Sequence, residues 1–243
     1  MARETAAPDN TRVMTSDAIV VQAAPAGARQ LFLLCHGYGA NAEDLVPLGQ
    51  RLGRAFPEAT IVSLAAPEPM GYPGGLQWFS LDGINDINRV TRVAEAMPDF
   101  LARIRGWQQR LGLGARETAL VGFSQGSIMV LEASVTEPAP AGRVVAIAGR
   151  FARLPTAVPA DVTLHLLHGK DDAVVPYRHT VEAAHRLLEL GGDVTADVHP
   201  FVGHEIPEET MGVVLQRLTT HVPRRMWEEA MRAADEPEDG KDA

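Results

Sequence analysis

One cysteine stands in the 243 residues, Cys35. A single thiol excludes an internal disulfide and any cysteine cluster around a metal. Long apolar runs are missing too, since no stretch nears the roughly 18 residues of a spanning helix. The first ten residues, Met1 to Asn10, lack the apolar centre of a secretion signal. These absences lead to two expectations: no stable membrane insertion, and a cytoplasmic location. Basic runs are also lacking, and 22 Lys and Arg against 31 Asp and Glu give a net charge of -9. That balance argues against a nucleic-acid surface. No HExxH spacing occurs, so neither a metal nor a cofactor is expected.

What is present suffices for one buried core, because 46% of the residues are hydrophobic. Strand-like and helix-like stretches alternate. Residues 19–23, 30–35, 60–65, 118–121, 143–148, 162–167 and 194–199 read as short apolar or alternating strands. Between and after them, 42–55, 89–111, 125–135, 177–190 and 207–221 carry helical spacing, with Pro98 expected to bend or split the second of these. This order is α/β. It calls for a single, mostly parallel sheet with right-handed crossovers, helices on both faces, and ligands at the carboxyl ends of the strands. The expected organisation is a flexible segment over 1–16, the domain over 17–227 and a disordered acidic tail over 228–243. Cys35 ends the run Leu31-Phe32-Leu33-Leu34 and reads as a buried core thiol.

Residues 122–126, Gly-Phe-Ser-Gln-Gly, match G-x-S-x-G between the strand at 118–121 and the helix that follows. Such a turn strains its middle residue and needs little bulk on either side, which Gly122 and Gly126 supply. The new helix aims free N–H groups and the positive end of its dipole at the turn. Ser124 is therefore the candidate nucleophile and the Gln125 N–H an oxyanion donor. A serine hydroxyl needs an imidazole to take its proton, and the imidazole needs a carboxylate to fix its tautomer. Hydrolases built on this turn carry the acid and then the base further along the chain, at strand ends. His204, in the loop after the last strand, is the best-placed base, with His199 second. Asp171 or Asp172 follows the penultimate strand and supplies the acid, while one of the pair is free to cap the next helix. The glycine loop His36-Gly37-Tyr38-Gly39 offers the Tyr38 N–H as the second oxyanion donor, with His36 shaping the loop.

Residues 66–88 break the alternation. Prolines and glycines surround Met70, Tyr72, Leu76, Trp78 and Phe79 in a long irregular loop, which is expected to form one wall of the site.

Four blocks, HGYGANAEDL at 36–45, QWFSL at 77–81, GFSQGS at 122–127, and HGKDDAVVP at 168–176 with GHEIP at 203–207, stand in this order. Together they resemble the phospholipase/carboxylesterase family of α/β-hydrolases, which includes acyl-protein thioesterases and small bacterial carboxylesterases. The likeness spans about residues 17–221. It implies Ser124 as nucleophile, His204 as base and, three places before Val175-Pro176, Asp172 as acid. It further implies Tyr38 and Gln125 at the oxyanion and the Trp78–Phe79 pair beside the acyl group. Where the family's thioesterases have an acidic residue after the HGxG turn, this chain has Ala40 and Asn41. The resemblance thus implies a carboxylesterase on small to medium acyl esters ahead of a thioesterase or lysophospholipase.

Two other classes fit the sequence less well. Gly37 to Ala42 also fits G-x-G-x-x-A, but the acid expected some 20 residues on for a dinucleotide is displaced to Glu68, beyond Pro67. A binding module that has lost catalysis would not need Ser, Asp and His all intact. The partners expected are a small-molecule ester and, through an exposed face, a second copy in a homodimer. Only residues 149–161 separate the strands at 143–148 and 162–167, too few for a lid domain, so activity is expected without a lipid interface.

Overall fold

Gln30–Cys35, Ala59–Leu64 and Thr118–Phe123 are buried along nearly their whole length on both sides. Only strands covered by helices on both faces tolerate such continuous apolar runs. In the computed structural model, which describes residues 13–15, 17–25, 27–159 and 161–235, these three strands lie at the centre of the sheet.

In chain order the strands are β1 (Val13–Thr15), β2 (Ala18–Gln22), β3 (Gln30–Cys35), β4 (Ala59–Leu64), β5 (Glu68–Pro69), β6 (Leu76–Gln77), β7 (Thr118–Phe123), β8 (Arg143–Ile147), β9 (Thr163–Gly169) and β10 (Asp193–His199). The helices are α1 (Val46–Ala55), α2 (Asp86–Leu111), α3 (Gln125–Ser134), α4 (Arg178–Glu189), α5 (Glu208–Thr220) and α6 (Arg224–Asp235). Among the described residues the main sheet has the order β1-β2-β4-β3-β7-β8-β9-β10. β1 with β2 and β2 with β4 pair antiparallel, and every later pairing is parallel. This is the α/β-hydrolase fold. From β3 the chain first runs outwards to β4 and then crosses to β7 on the other side of β3. The carboxyl ends of β3 and β7 thus flank a switch point, where α/β sheets place their ligands.

Period-two alternation sorts the core onto the two faces. Leu31, Leu33 and Cys35 join Phe100, Met129 and Leu187 under α2, α3 and α4, while Phe32 and Leu34 join Leu48, Leu52, Val214 and Leu218 under α1 and α5. Cys35 is fully buried, and burial pushes its thiol up, as befits a core residue.

Several features differ from those the pattern predicts. α2 runs unbroken through Pro98, because Val93 and Met97 before the proline and Phe100 and Ile104 after it are all buried on one face. The start of the predicted helix at 42 is a single 3-10 turn over Ala42–Leu45, capped by the Asn41 side chain, before α1 begins at Val46. Residues 13–15 pair with β2, and residues 228–235 belong to α6, although both were assigned to flexible ends. Residues 1–12, 16 and 236–243 lie outside the described residues. No lid interrupts β8 and β9, since the described residues between them form neither helix nor strand.

Candidate active site

The turn from β7 into α3 is as tight as its glycines imply. Ser124 sits at φ 52° and ψ -114°, a left-handed conformation that is costly for a residue with a side chain. A Cβ on Gly122 would stand 2.5 Å from the Gly126 oxygen, and one on Gly126 would land on the Cys35 carbonyl. The close approach of β7, α3 and the end of β3 therefore depends on both glycines. The Ser124 N–H donates to the Ile147 oxygen at 2.9 Å, which ties the strained residue to β8.

His204 Nε2 lies 2.8 Å from Ser124 Oγ, and His204 Nδ1 lies 2.7 Å from Asp172 Oδ2. A carboxylate can only accept, so Nδ1 carries the proton and Nε2 is free to take one from the serine hydroxyl. The His204 ring rests on Phe123, with centroids 5.0 Å apart, so the residue before Ser124 supports the imidazole. Asp172 is buried, and its Oδ1 accepts the N–H groups of Val174 and Val175, each at 2.8 Å. Burial works to raise its pKa, but the bonds from His204 and from these two amides outweigh burial and hold it below the usual carboxylate range. Asp171 is exposed, and neither aspartate caps α4, whose N-cap is Tyr177. His199, the second choice for base, faces Glu209 at 3.7 Å instead of the serine.

A second histidine touches the same carboxylate. His168 Nε2 lies 2.8 Å from the Val175 oxygen and 3.2 Å from Asp172 Oδ2, while its Nδ1 accepts from Thr180 Oγ1 at 2.7 Å. Burial lowers its pKa, so it acts as a neutral donor that braces the Asp172 carboxylate. Sequence reasoning passed over His168 because it matches no part of the Ser-acid-His order.

The loop after β3 runs beside the serine, where a Cβ on Gly37 would come within 3.2 Å of Ser124 Cβ. His36 is buried, accepts the Ala66 N–H at Nε2 (3.0 Å) and donates from Nδ1 to the Gly37 oxygen at 2.8 Å, so it shapes the loop. Burial holds it neutral. Among the described residues no acceptor takes the Tyr38 N–H. Gln125 opens α3, where backbone N–H groups have no carbonyl a turn earlier.

Trp78 and Phe79, which the family likeness sets beside the acyl group, are both 2% exposed and packed into the core. Trp78 Nε1 donates to the His36 oxygen at 2.9 Å, and its ring meets Phe100 edge-on at 5.3 Å. The Gln125 side chain clamps the pair by accepting the Trp78 N–H at 2.8 Å and donating to the Phe79 oxygen at 2.7 Å. An indole N–H and large apolar area are best satisfied inwards, and the short hairpin β5–β6 provides the reach. The exposed rings at the loop after β3 are Tyr38 and Tyr72, the latter donating to the Gly39 oxygen at 3.3 Å.

Fold, strained turn and Ser-His-Asp geometry together define a serine hydrolase of the α/β-hydrolase class. Residues 16–222 match the phospholipase/carboxylesterase family, and the chain belongs to it. It is 43% identical to esterase YpfH of Escherichia coli over 218 residues, covering 90% of this chain and 94% of that protein. The crystal structure of esterase PE8 superimposes with a TM-score of 0.74 at 31% identity, over 81% of this chain and 94% of the other. Acyl-protein thioesterase 1 of Neurospora crassa is 25% identical over 206 residues, covering 78% of this chain and 82% of that protein. No helix among the described residues is long and apolar enough to cross a membrane.

Proposed function

We propose that the protein hydrolyses carboxylic esters through an acyl-enzyme on Ser124, acting on small to medium acyl groups in the cytoplasm. The observation that carries this reading is the unbroken hydrogen-bonded chain from Ser124 Oγ through His204 to Asp172, at 2.8 and 2.7 Å. Ser124 Oγ attacks the ester carbonyl as His204 Nε2 takes its proton. Charge on the carbonyl oxygen is met by the Tyr38 and Gln125 N–H groups, and Asp172 stabilises the imidazolium. The alcohol leaves with the proton from His204, and water then repeats the sequence on the acyl-enzyme to release the acid. The likeness to esterases YpfH and PE8 supports ester over thioester substrates. The absence of a lid between β8 and β9 supports activity on dissolved esters without an oil-water interface.

The test is labelling with a fluorophosphonate probe, followed by ester and thioester panels of graded acyl length. Labelling should vanish in Ser124→Ala, and turnover should fall by about 10⁴ to 10⁶. Labelling that survives the substitution sinks the assignment. A thioester turned over faster than the matched ester would move the substrate class to the thioesterases.

A further inference from the structure

α6 begins at Arg224, just beyond the 16–222 span shared with the family. It lies at the amino end of the sheet, opposite the active site. Arg225 donates to the carbonyls of Gly142 and Asp161, which precede β8 and β9, and the Arg224 N–H donates to Asp193 at the start of β10. Glu229 is paired with Arg116 at 2.8 Å. The helix thus turns a charged face towards the domain. At 100° per residue, Trp227, Ala230, Met231 and Ala234 lie within about 60° of the point opposite Arg225. Trp227 is 61% and Met231 63% exposed, and every residue from 226 to 234 is exposed.

This amphipathic helix is docked the wrong way round for a free-standing chain. Globular helices bury the apolar stripe and expose the charges. A 12-residue helix is also marginal in water unless its apolar face is covered. Residues 236–243, Glu-Pro-Glu-Asp-Gly-Lys-Asp-Ala, and residues 1–12, with only Met1 and alanines as apolar residues besides Pro8, carry no apolar stripe to match it.

We infer that α6 is the interface of a two-fold homodimer, pairing antiparallel with α6 of a second copy. The stripe complements itself. In an antiparallel pair Trp227 lies against Ala234 of the second copy and Met231 against its Ala230, so each large side chain meets a small one and the helices approach closely. Charge favours this occupant over an anionic membrane, because the chain carries -9 overall and three arginines on α6 are offset by three acids. α6 is only about 18 Å long, so the interface is at the small end of specific contacts and the dimer dissociates in the micromolar range. Both active sites stay open, since they lie at the other end of each sheet.

The test is sedimentation equilibrium of the full chain from roughly 1 to 200 µM, a range bracketing that affinity. The wild type should move from 26.1 kDa towards twice that mass. Trp227→Ala and Met231→Glu should each stay at the single-chain mass, with ester turnover and thermal unfolding unchanged. A wild type that remains single at every concentration, or variants that dimerise equally well, would overturn the inference. So would flotation of the wild type with phosphatidylcholine vesicles that is lost in Trp227→Ala, which would assign the stripe to a lipid surface. Ester turnover is read separately, so an inactive protein that dimerises would refute the proposed function and leave this inference standing.

Discussion

The two ends of this sheet treat a tryptophan in opposite ways. At the carboxyl end Trp78 is drawn into the core, with its N–H on a backbone carbonyl and its ring on Phe100. At the amino end Trp227 stands in solvent, while Arg225 and Glu229 of the same helix turn towards the domain. The contrast shows that the identity of a side chain does not fix its task; the surrounding polar groups do. Gln125 and the His36 carbonyl give the first indole and its backbone somewhere to bond inside. Around α6 the carbonyls of Gly142 and Asp161 attract an arginine instead, and the indole is left for a partner.

Substitutions at the two ends test this contrast. The largest effect belongs to the site the carboxyl end builds: Asp172→Asn should keep the fold yet lower kcat by about 10⁴, because His204 would then favour the wrong tautomer. Steady-state kinetics alongside a circular dichroism spectrum check it, and a loss under tenfold would remove Asp172 from its role. Next comes Trp78→Ala, which should cost about 3–5 kcal/mol in urea unfolding through the lost ring and the stranded His36 carbonyl.

Acid should weaken the fold by a smaller amount. His165 is fully buried against His221, and burial, with that neighbour and Arg143, lowers its pKa from 6.5 to about 3. Between those values the unfolded chain binds a proton that the folded one refuses, so stability falls as pH drops through this window and is unaffected above it. The loss should be about 2 kcal/mol between pH 6.5 and 5. His165→Gln should flatten that slope in pH-dependent urea titrations, and an unchanged slope would count against it. Smallest of all, Trp227→Ala should alter monomer stability by no more than about 0.5 kcal/mol. Equal losses from the two tryptophan variants would erase the contrast.

Much of the catalytic end was legible from residue order. Ser124 announces itself through two glycines that the backbone contacts then prove necessary, and His204 through its place after the last strand. The choice of Asp172 over Asp171 came from family likeness; the physical reason, two amides folding back onto Oδ1, appears only once residues 172–175 turn. His168 and the Phe123 platform were missed because each acts through a neighbour, at a spacing no motif records. The place of Trp78 and Phe79 beside the acyl group came from family likeness; the clamp on their backbone is invisible in sequence because Gln125 reaches them from 46 or more positions away. Helical spacing over 224–235 was overlooked because the acids at 235–239 colour the whole end of the chain as tail.

The Gln125 amide has a consequence for how this enzyme can change. Its backbone opens the helix directly after Ser124, while its side chain fastens the loop at 78–79. Loops in this fold class are commonly the interchangeable parts, free to be lengthened or exchanged while the chemistry persists. Here the segment around Trp78 is keyed to the same residue whose N–H is proposed to meet the oxyanion. Variation is cheap at residues 71–74, where the chain is exposed, and expensive at 78–79, where a new sequence must also satisfy Gln125. Diversification of this hydrolase therefore has a built-in boundary, drawn by a single carboxamide.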